Sequence, residues 1–415
     1  ICPKCAKGTK RRASTHRQLV TTCRKNLSLP VIRGAKTRNA TLDKEAMQEY
    51  LSTLDGTALE FVRLLTDKRK HDTSLSYMQS YRRFWIPVAN ALGFYRIHPS
   101  LNPCGTDHLR WASNSPNLQN VGKQEMRCEE CDGAGCGACN NTGLAMLSAR
   151  NCFGPALGRE WWSLDFESIE KRIPAYECME PALIEIFENP NEPPYWGSDH
   201  NLICSLLWPH LYEPLAKKKG EFKRLYINEY KRAKNTNFAK QYGAGKRKVD
   251  VTAGVSGAFD LINRGMPRLT ELQAKYLYRA ERSGYVETLP DRSVDPTRGY
   301  PILASRTEDG RVLSTTPFNY HVSGTACWVK NTALVRCANQ CAEWRAEGFD
   351  AHVALEIHDE ILFDFPRGKT VKENLSRAIV LKGLMEQSGE DLIPRILTPV
   401  SVELHTESWA KGVSL

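Results

Sequence analysis

The first 42 residues contain no aspartate or glutamate, although they carry eleven lysine and arginine residues. The chain also lacks any apolar run near the roughly 18 residues that a membrane-spanning helix needs, and no apolar secretion signal follows Ile1. The missing apolar run predicts a soluble protein. The length of the chain and the missing signal argue against a secreted disulfide framework, despite fourteen cysteines, and favour a reducing, cytoplasmic compartment. Because the chain begins at Ile1 rather than Met, we expect a C-terminal piece of a longer product.

The size and charge of the chain narrow its class further. Its 415 residues suggest two or three subdomains, and a hydrophobic content of 41% is enough for a real core. The formal net charge is +10. Residues 1–42 form one basic block. Residues 217–248 form a second, with twelve lysine and arginine residues and only two acids, Glu221 and Glu229. Two separated basic blocks favour a long phosphate backbone as partner. Solvated basic faces remain the alternative.

Local patterns predict the elements that carry the candidate site. Residues 41–85 read as two helices, with Asp43 before the first and Asp55-Gly56 between them. The segment "REWWSLDF" predicts a buried strand that ends at Asp165 and is followed by a helix from about Ser168. Near the end of the chain, "HVALEIHDEILFDF" predicts a β-hairpin.

Two acids occupy the ends of these apolar segments. Asp165 lies at the end of the predicted strand, and Asp359 lies at the tip of the predicted hairpin. An acid in such a place is desolvated unless a cation or hydrogen-bond donors compensate its charge. Two strand-end carboxylates can hold Mg²⁺, and a pair of such ions about 4 Å apart can clamp a phosphoryl transfer. Capping of turns by aspartate is the alternative.

A third pattern predicts a helix face that suits a nucleotide. Tyr230, Lys234, Phe238 and Tyr242 recur every four residues and therefore share one face of a helix. An ammonium group suits phosphates, and aromatic rings suit a base and a sugar. The alternative is an amphipathic helix whose aromatic residues belong to the core.

The cysteine spacing predicts a structural metal site. Four cysteines form the pattern C-x2-C-x4-C-x2-C, namely Cys128, Cys131, Cys136 and Cys139. Two close pairs joined by glycine-rich turns can place four thiolates around Zn²⁺, and four protein ligands leave no open position for catalysis. Cys2 and Cys5 form another C-x2-C pair, a candidate for a second zinc site with ligands that the sequence does not identify.

Several segments together resemble family A DNA polymerases. "LDFESIEKR" is similar to the first catalytic motif of this family, "KNTNFAKQYG" to its fingers helix and "EIHDEILFDFP" to its His-Asp-Glu hairpin. "RWASNSPNLQN", "SGYVETLPDR", "NYHVSGTA" and "SVELHTESWAKG" resemble further family segments. The resemblance covers nearly the whole chain, in the family's order.

The resemblance implies roles for individual residues. Asp165, Asp359 and the carbonyl of Phe166 match the metal site, Lys234 matches the lysine that contacts the triphosphate, and Glu360 follows the second aspartate. The residues implied to bind the nucleotide are Glu170, which excludes a 2′-hydroxyl, with Phe238, Tyr242, Tyr230 and His200. Those implied to bind primer or template are Arg110, Asn319, His358, Gln119 and Asn120.

The resemblance also implies the fold and the activity. We expect an α+β right hand, with an antiparallel palm sheet, helical fingers and a shortened helical thumb. The expected parts are 1–95, the basic segment and thumb; 96–165, palm with a zinc knuckle inserted at 127–143; 166–290, the palm helix and fingers; and 291–415, palm with the hairpin.

The implied reaction is addition of dNTPs to a primer 3′-hydroxyl by two-metal-ion nucleotidyl transfer. Its cofactors would be two Mg²⁺ ions, for which Mn²⁺ can substitute, beside a structural Zn²⁺. Its partners would be primer-template DNA and dNTPs, with room for an upstream domain or a replication partner and without a membrane.

The chain also departs from the family pattern. Tyr230 stands where the family has an arginine that binds the triphosphate, and Ser323, Trp328 and Thr315 replace a glutamine, an aspartate and an arginine. These replacements, with the inserted cysteine cluster, point to a divergent, viral or phage-like member. Two alternatives stay open, a single-subunit RNA polymerase and a non-catalytic zinc-containing subunit that binds nucleic acid. No exonuclease signature is present.

Overall fold

The computed structural model describes residues 25–32, 41–88, 93–103, 105–128, 130–131, 136–137, 144–291 and 294–415. The chain forms two compact units, one from residues 1–98 and 120–150, the other from residues 99–119 and 151–415. These two units do not test the four-part division expected from the sequence, which stays a prediction. Within the described ranges, no helix is both long and apolar enough to span a bilayer.

The first unit contains the two helices predicted for residues 41–85. Helix α1 is Lys44–Thr53 and helix α2 is Gly56–Arg82. The side chain of Asp43 accepts a hydrogen bond of 2.9 Å from the backbone N–H of Ala46, so it caps α1 as its position in the sequence indicates. Two short hairpins also lie in this unit, β1 (Ile86–Pro87) with β2 (Tyr95–Arg96), and β5 (Lys123–Arg127) with β6 (Leu144–Ser148).

The second unit is a mixture of helices and strands. Its strands are β3 (Ser100–Asn102), β4 (Ala112–Asn114), β7 (Arg159–Phe166), β8 (Tyr285–Glu287), β9 (Pro301–Leu303), β10 (His352–Ile357), β11 (Glu360–Pro366), β12 (Val400–His405) and β13 (Gly412–Ser414). Its α-helices are α3 (Ile169–Cys178), α4 (Pro181–Glu188), α5 (Asp199–Leu207), α6 (Pro209–Tyr212), α7 (Glu221–Leu225), α8 (Ile227–Gln241), α9 (Lys246–Ala253), α10 (Ala258–Gly265), α11 (Pro267–Ser283), α12 (Pro317–Ala346) and α13 (Val371–Leu392).

A five-stranded antiparallel sheet forms the base of the second unit, in the order β10-β11-β7-β12-β13. The predicted strand and hairpin are confirmed as β7, β10 and β11, and β7 lies between β11 and β12. Strand β7 ends one residue later than predicted, at Phe166, whose N–H donates a hydrogen bond of 3.2 Å to the carbonyl of Asp359. The sheet therefore joins the two candidate acidic segments through backbone pairing.

Apolar packing fixes this sheet against helices. Trp162 and Leu164 of β7 and Phe363 of β11 are completely buried, in the same core cluster as Leu381 of α13 and Ala333 of α12. Burial of a large apolar side chain contributes about 1.5–3 kcal/mol. This packing fixes the central strand β7 in the core, and it thereby also fixes the position of Asp165 near the end of that strand.

Candidate active site

The ends of β7 and β11 bring three acids together. Asp165 is the penultimate residue of β7 and pairs directly with Glu360, the first residue of β11. Asp359 precedes Glu360 in the turn of the hairpin. Antiparallel pairing therefore places two acids that the chain separates by almost 200 residues side by side, at the same end of two adjacent strands.

The crowding of these carboxylates shifts their protonation. Partial burial first, and then the charges of Glu360 and Asp359, raise the pKa of Asp165 to about 7, although the residue as a whole is exposed. Burial and the charge of Glu170 raise the pKa of Asp359 to about 6, against the opposing influence of Arg110 and Lys330. A divalent cation would relieve this repulsion, and carboxylate oxygens are the ligands that Mg²⁺ prefers. The residues present therefore fit a magnesium site.

The tip of the hairpin has an unusual backbone. His358 has a φ of 57°, in the left-handed region that residues other than glycine seldom adopt. The conformation costs roughly 1 kcal/mol or more, and it persists only where surrounding structure determines it. It directs the chain from β10 into Asp359, so the turn itself helps to place the acid.

Glu170, on helix α3, is held by side chains from three other segments. Its carboxylate accepts hydrogen bonds from the guanidinium of Arg110 and, at 2.7 Å, from the hydroxyl of Ser323. The hydroxyl of Tyr242 lies 3.5 Å from its second oxygen, and Asn319 lies 3.2 Å from the Ser323 hydroxyl. Ser323 was expected only as a departure from the family pattern, yet it contacts the candidate sugar-selecting residue.

The aromatic face of helix α8 is present as the four-residue spacing predicts. Phe238 and Tyr242 stack nearly parallel, at 6.3 Å between ring centroids. His200, from helix α5, meets the rings of Tyr230 and Phe238 edge-on, at 6.1 and 5.6 Å. Lys234 is exposed on this helix, and no ion pair of Lys234 occurs within the described residues. The arrangement leaves the ammonium group of Lys234 exposed on the helix that carries Tyr230 and Phe238.

A polar network behind this face anchors α8. Asp199 lies 3.2 Å from the ammonium of Lys171 and accepts a hydrogen bond of 2.6 Å from the amide of Asn237. The amide of Asn237 is also 3.1 Å from Nδ1 of His200. Burial alone would raise the pKa of Asp199, but these partners outweigh it and lower that pKa. Sequence patterns did not indicate Lys171 or Asn237, because their partners lie on other helices.

Gln119 and Asn120, both predicted to bind primer or template, belong to different units of the structure. The side chain of Gln119 is buried in the second unit, where its amide donates to Glu356 at 2.6 Å and accepts from the N–H of Ser113 at 3.0 Å. Asn120 belongs to the first unit. Contacts of Gln119 and Asn120 with nucleic acid stay predictions.

The cysteine cluster lies in the first unit, at the end of the β5–β6 hairpin. The sulfur atoms of Cys128, Cys131 and Cys136 all lie within 4.8 Å of one another, and those of Cys128 and Cys136 are 3.9 Å apart. Four thiolates around zinc, each about 2.3 Å from the ion, lie roughly 3.8 Å from one another. Three of the four predicted ligands are therefore close enough to one another to share a metal ion. Cys139, Cys2 and Cys5 lie outside the described residues.

Comparison with solved structures defines the class of fold. The structure aligns, with a TM-score of 0.69 and 19% sequence identity, with the POL domain of Pol1 from M. smegmatis, solved in complex with DNA primer-template and dNTP. The alignment covers 97% of this chain and 62% of that one. The fold is therefore that of a polymerase domain.

Sequence comparison then identifies the family. The sequence profile of DNA polymerase family A matches residues 4–411. This chain belongs to DNA polymerase family A.

Curated relatives agree with this assignment. The thermostable DNA polymerase I of Thermus thermophilus is 26% identical over 330 residues, which are 76% of this chain and 33% of that protein. The DNA polymerase of Mycobacterium phage D29 is 25% identical over 252 residues, 59% of this chain and 35% of that protein. DNA polymerase I of Bacillus subtilis is 24% identical over 303 residues. The chain spans about a third of the length of these relatives.

Proposed function

We propose that this chain is a template-directed DNA polymerase that adds dNTPs to the 3′-hydroxyl of a primer. The observation that carries the proposal is the pairing of Asp165 with Glu360, beside Asp359, where strands β7 and β11 of the five-stranded sheet meet at their ends. The raised pKa values of both aspartates mark a cluster of negative charge that fits divalent cations. Membership of DNA polymerase family A supplies the reaction class.

The roles proposed for the chain's own residues rest on the family resemblance and are compatible with their positions. Asp165, Asp359 and the carbonyl of Phe166 would hold two Mg²⁺ ions, for which Mn²⁺ can substitute. When bound, such ions neutralise charge on the transferring phosphoryl group and acidify the attacking hydroxyl. Lys234 would bind the triphosphate as a point charge, because its ammonium is exposed on α8. Catalysis would come mainly from positioning and from charge neutralisation.

Glu170 would select the sugar of the incoming nucleotide. Its carboxylate accepts hydrogen bonds from Arg110 and Ser323, and the hydroxyl of Tyr242, just after α8, lies 3.5 Å from its second oxygen. A side chain held on several sides cannot move aside for an added 2′-hydroxyl. We therefore infer that dNTPs are preferred over rNTPs.

Primer extension with a matched pair of variants tests the proposed activity. Asp359→Asn should abolish extension of a primer on a DNA template with Mg²⁺ while primer-template binding stays largely intact. Asp364→Asn is the control, because Asp364 lies on β11 toward the opposite end of the same strand pair and should leave extension intact. Normal extension by Asp359→Asn would overturn the metal assignment. If the wild type extends the primer with rNTPs but not with dNTPs, it is an RNA polymerase. If the wild type extends no primer, it is a non-catalytic subunit.

We also propose a structural zinc ion in the first unit, bound by Cys128, Cys131, Cys136 and Cys139. The spacing of the three described sulfur atoms supports this proposal. Metal analysis of protein purified without a chelator should find zinc, and the triple replacement of Cys128, Cys131 and Cys136 by serine should remove it. Absence of zinc from the wild-type protein would refute the site.

A further inference from the structure

Lys330 and Glu356 form a buried ion pair that the proposed chemistry does not use. Lys330 lies on α12 and Glu356 on β10, and their side chains are 2% and 4% exposed. Removing both charges from water carries a large desolvation penalty, so a buried pair adds little net stability compared with apolar side chains. Stability alone therefore does not explain the pair.

The pair is joined to the segment from residues 110 to 119. The amide of Gln119 donates a hydrogen bond of 2.6 Å to the second oxygen of Glu356, and its carbonyl accepts from the N–H of Ser113 at 3.0 Å. The ammonium of Lys330 lies 5.1 Å from the ring centroid of Trp111. Glu356 is thus connected on one side to α12 and on the other to the loop around β4.

Both ends of this network lie close to groups of the candidate active site. Glu356 precedes Asp359 by three residues, at the end of β10. Trp111 follows Arg110, whose guanidinium donates to Glu170. The network consequently connects a candidate metal ligand with the segment that presents Arg110.

We propose that the Lys330–Glu356 pair is a positioning device, which sets the distance between Asp359 and the segment carrying Arg110. The inference rests on the proposed polymerase function. A charge-assisted contact between buried groups has one favoured geometry, whereas apolar contacts tolerate sliding. A misplacement of about 1 Å can lower a reaction rate by roughly 100-fold. The pair would therefore act on the rate of nucleotide addition more than on substrate binding.

The test is a double variant that removes both charges, Lys330→Met with Glu356→Leu. Replacing a buried pair by apolar side chains of similar volume often leaves stability unchanged, whereas either single change strands a buried charge. We expect a folded protein with a melting temperature a few degrees below that of the wild type, because the buried amide of Gln119 loses its acceptor. We also expect kcat for single-nucleotide addition to fall at least about tenfold, while KM for dNTP and Kd for primer-template change less than about threefold.

The matched control is another ion pair of the same sheet. Arg159 and Asp364 interact at 2.5 Å toward the opposite end of β7 and β11, away from Asp359. Arg159→Met with Asp364→Leu should leave kcat unchanged. A wild-type rate in the folded Lys330/Glu356 double variant, or an equal loss of rate in the control, would overturn the positioning role.

A second variant covers the case in which the double variant does not fold. Gln119→Leu cuts the link to the 110–119 segment and leaves the Lys330–Glu356 pair intact. It should lower kcat measured at saturating dNTP and primer-template, where a change in binding no longer limits the rate, and an unchanged kcat would contradict the proposal. Failure of the wild type to extend any primer would instead refute the proposed function, so the two failures can be told apart.

Discussion

Replacing Asp165 by asparagine should stabilise the metal-free protein while it abolishes extension. The pKa of Asp165 is about 7 in the fold, against an ordinary value of 3.8. Since the folded pKa is raised, ionisation of this acid opposes folding. The penalty is absent below pH 3.8, grows as the pH rises toward 7, and is complete above 7.

The size of this effect follows from the shift and from solvent exposure. A shift of about 3 units would correspond to roughly 4 kcal/mol in a fully buried site. Because the Asp165 side chain reaches solvent, screening reduces this figure to about 1 kcal/mol. That free energy corresponds to a rise of roughly 1–2 °C in melting temperature for a unit of this size.

The assay is thermal unfolding at pH 8 and pH 4.5, in Mg²⁺-free buffer prepared by gel filtration. Chelators are avoided because they would also remove the zinc ion proposed for the cysteine cluster. Asp165→Asn should melt above the wild type at pH 8, and the difference should shrink at pH 4.5. Added Mg²⁺ should raise the melting temperature of the wild type and leave that of the variant unchanged. A lower melting temperature of the variant at pH 8 would refute the idea of uncompensated charge.

Three further predictions concern Glu170, Glu177 and the cysteine cluster. Glu170→Ala should raise the ratio of rNTP to dNTP incorporation at least about tenfold, a change of roughly 1.4 kcal/mol in selectivity; an unchanged ratio in single-nucleotide kinetics removes its sugar-selecting role. Burial would raise the pKa of Glu177, but His321, 2.8 Å away, and Tyr276 lower it overall, so its charge stabilises the fold at neutral pH. Glu177→Gln should therefore reduce stability by about 3 kcal/mol at pH 8 and by less near pH 4 in urea unfolding; a loss that does not depend on pH would contradict this account. Cys131→Ser should weaken zinc retention in metal analysis and loosen the β5–β6 hairpin in hydrogen exchange, and full zinc retention would show that Cys131 is not a ligand.

The parts of the fold that were predictable from the sequence depend on local patterns. The cap at Asp43, the buried run of β7 and the hairpin around Asp359 each depend on residues a few positions apart. The common face of Tyr230, Lys234 and Phe238 depends only on helical periodicity. Each of these features is determined by the residues that form it and by their close neighbours in the sequence.

The features that escaped prediction are contacts between distant segments. Ser323 meets Glu170 across 153 positions, and Gln119 meets Glu356 across 237. The periodicity of the sequence does not predict which distant residue each side chain contacts, because the contact exists only after the sheet and helices have packed. From the sequence, Ser323 in place of the expected glutamine indicates the loss of a family contact. In the structure, its hydroxyl donates a hydrogen bond to Glu170.

The most direct test of the account is to locate Mn²⁺ by anomalous scattering in crystals of the protein with primer-template and a non-hydrolysable dNTP. We predict manganese peaks within bonding distance of the carboxylates of both Asp165 and Asp359, on the side facing helix α8. Manganese found only elsewhere, or carboxylates too far apart to share an ion in that complex, would contradict it.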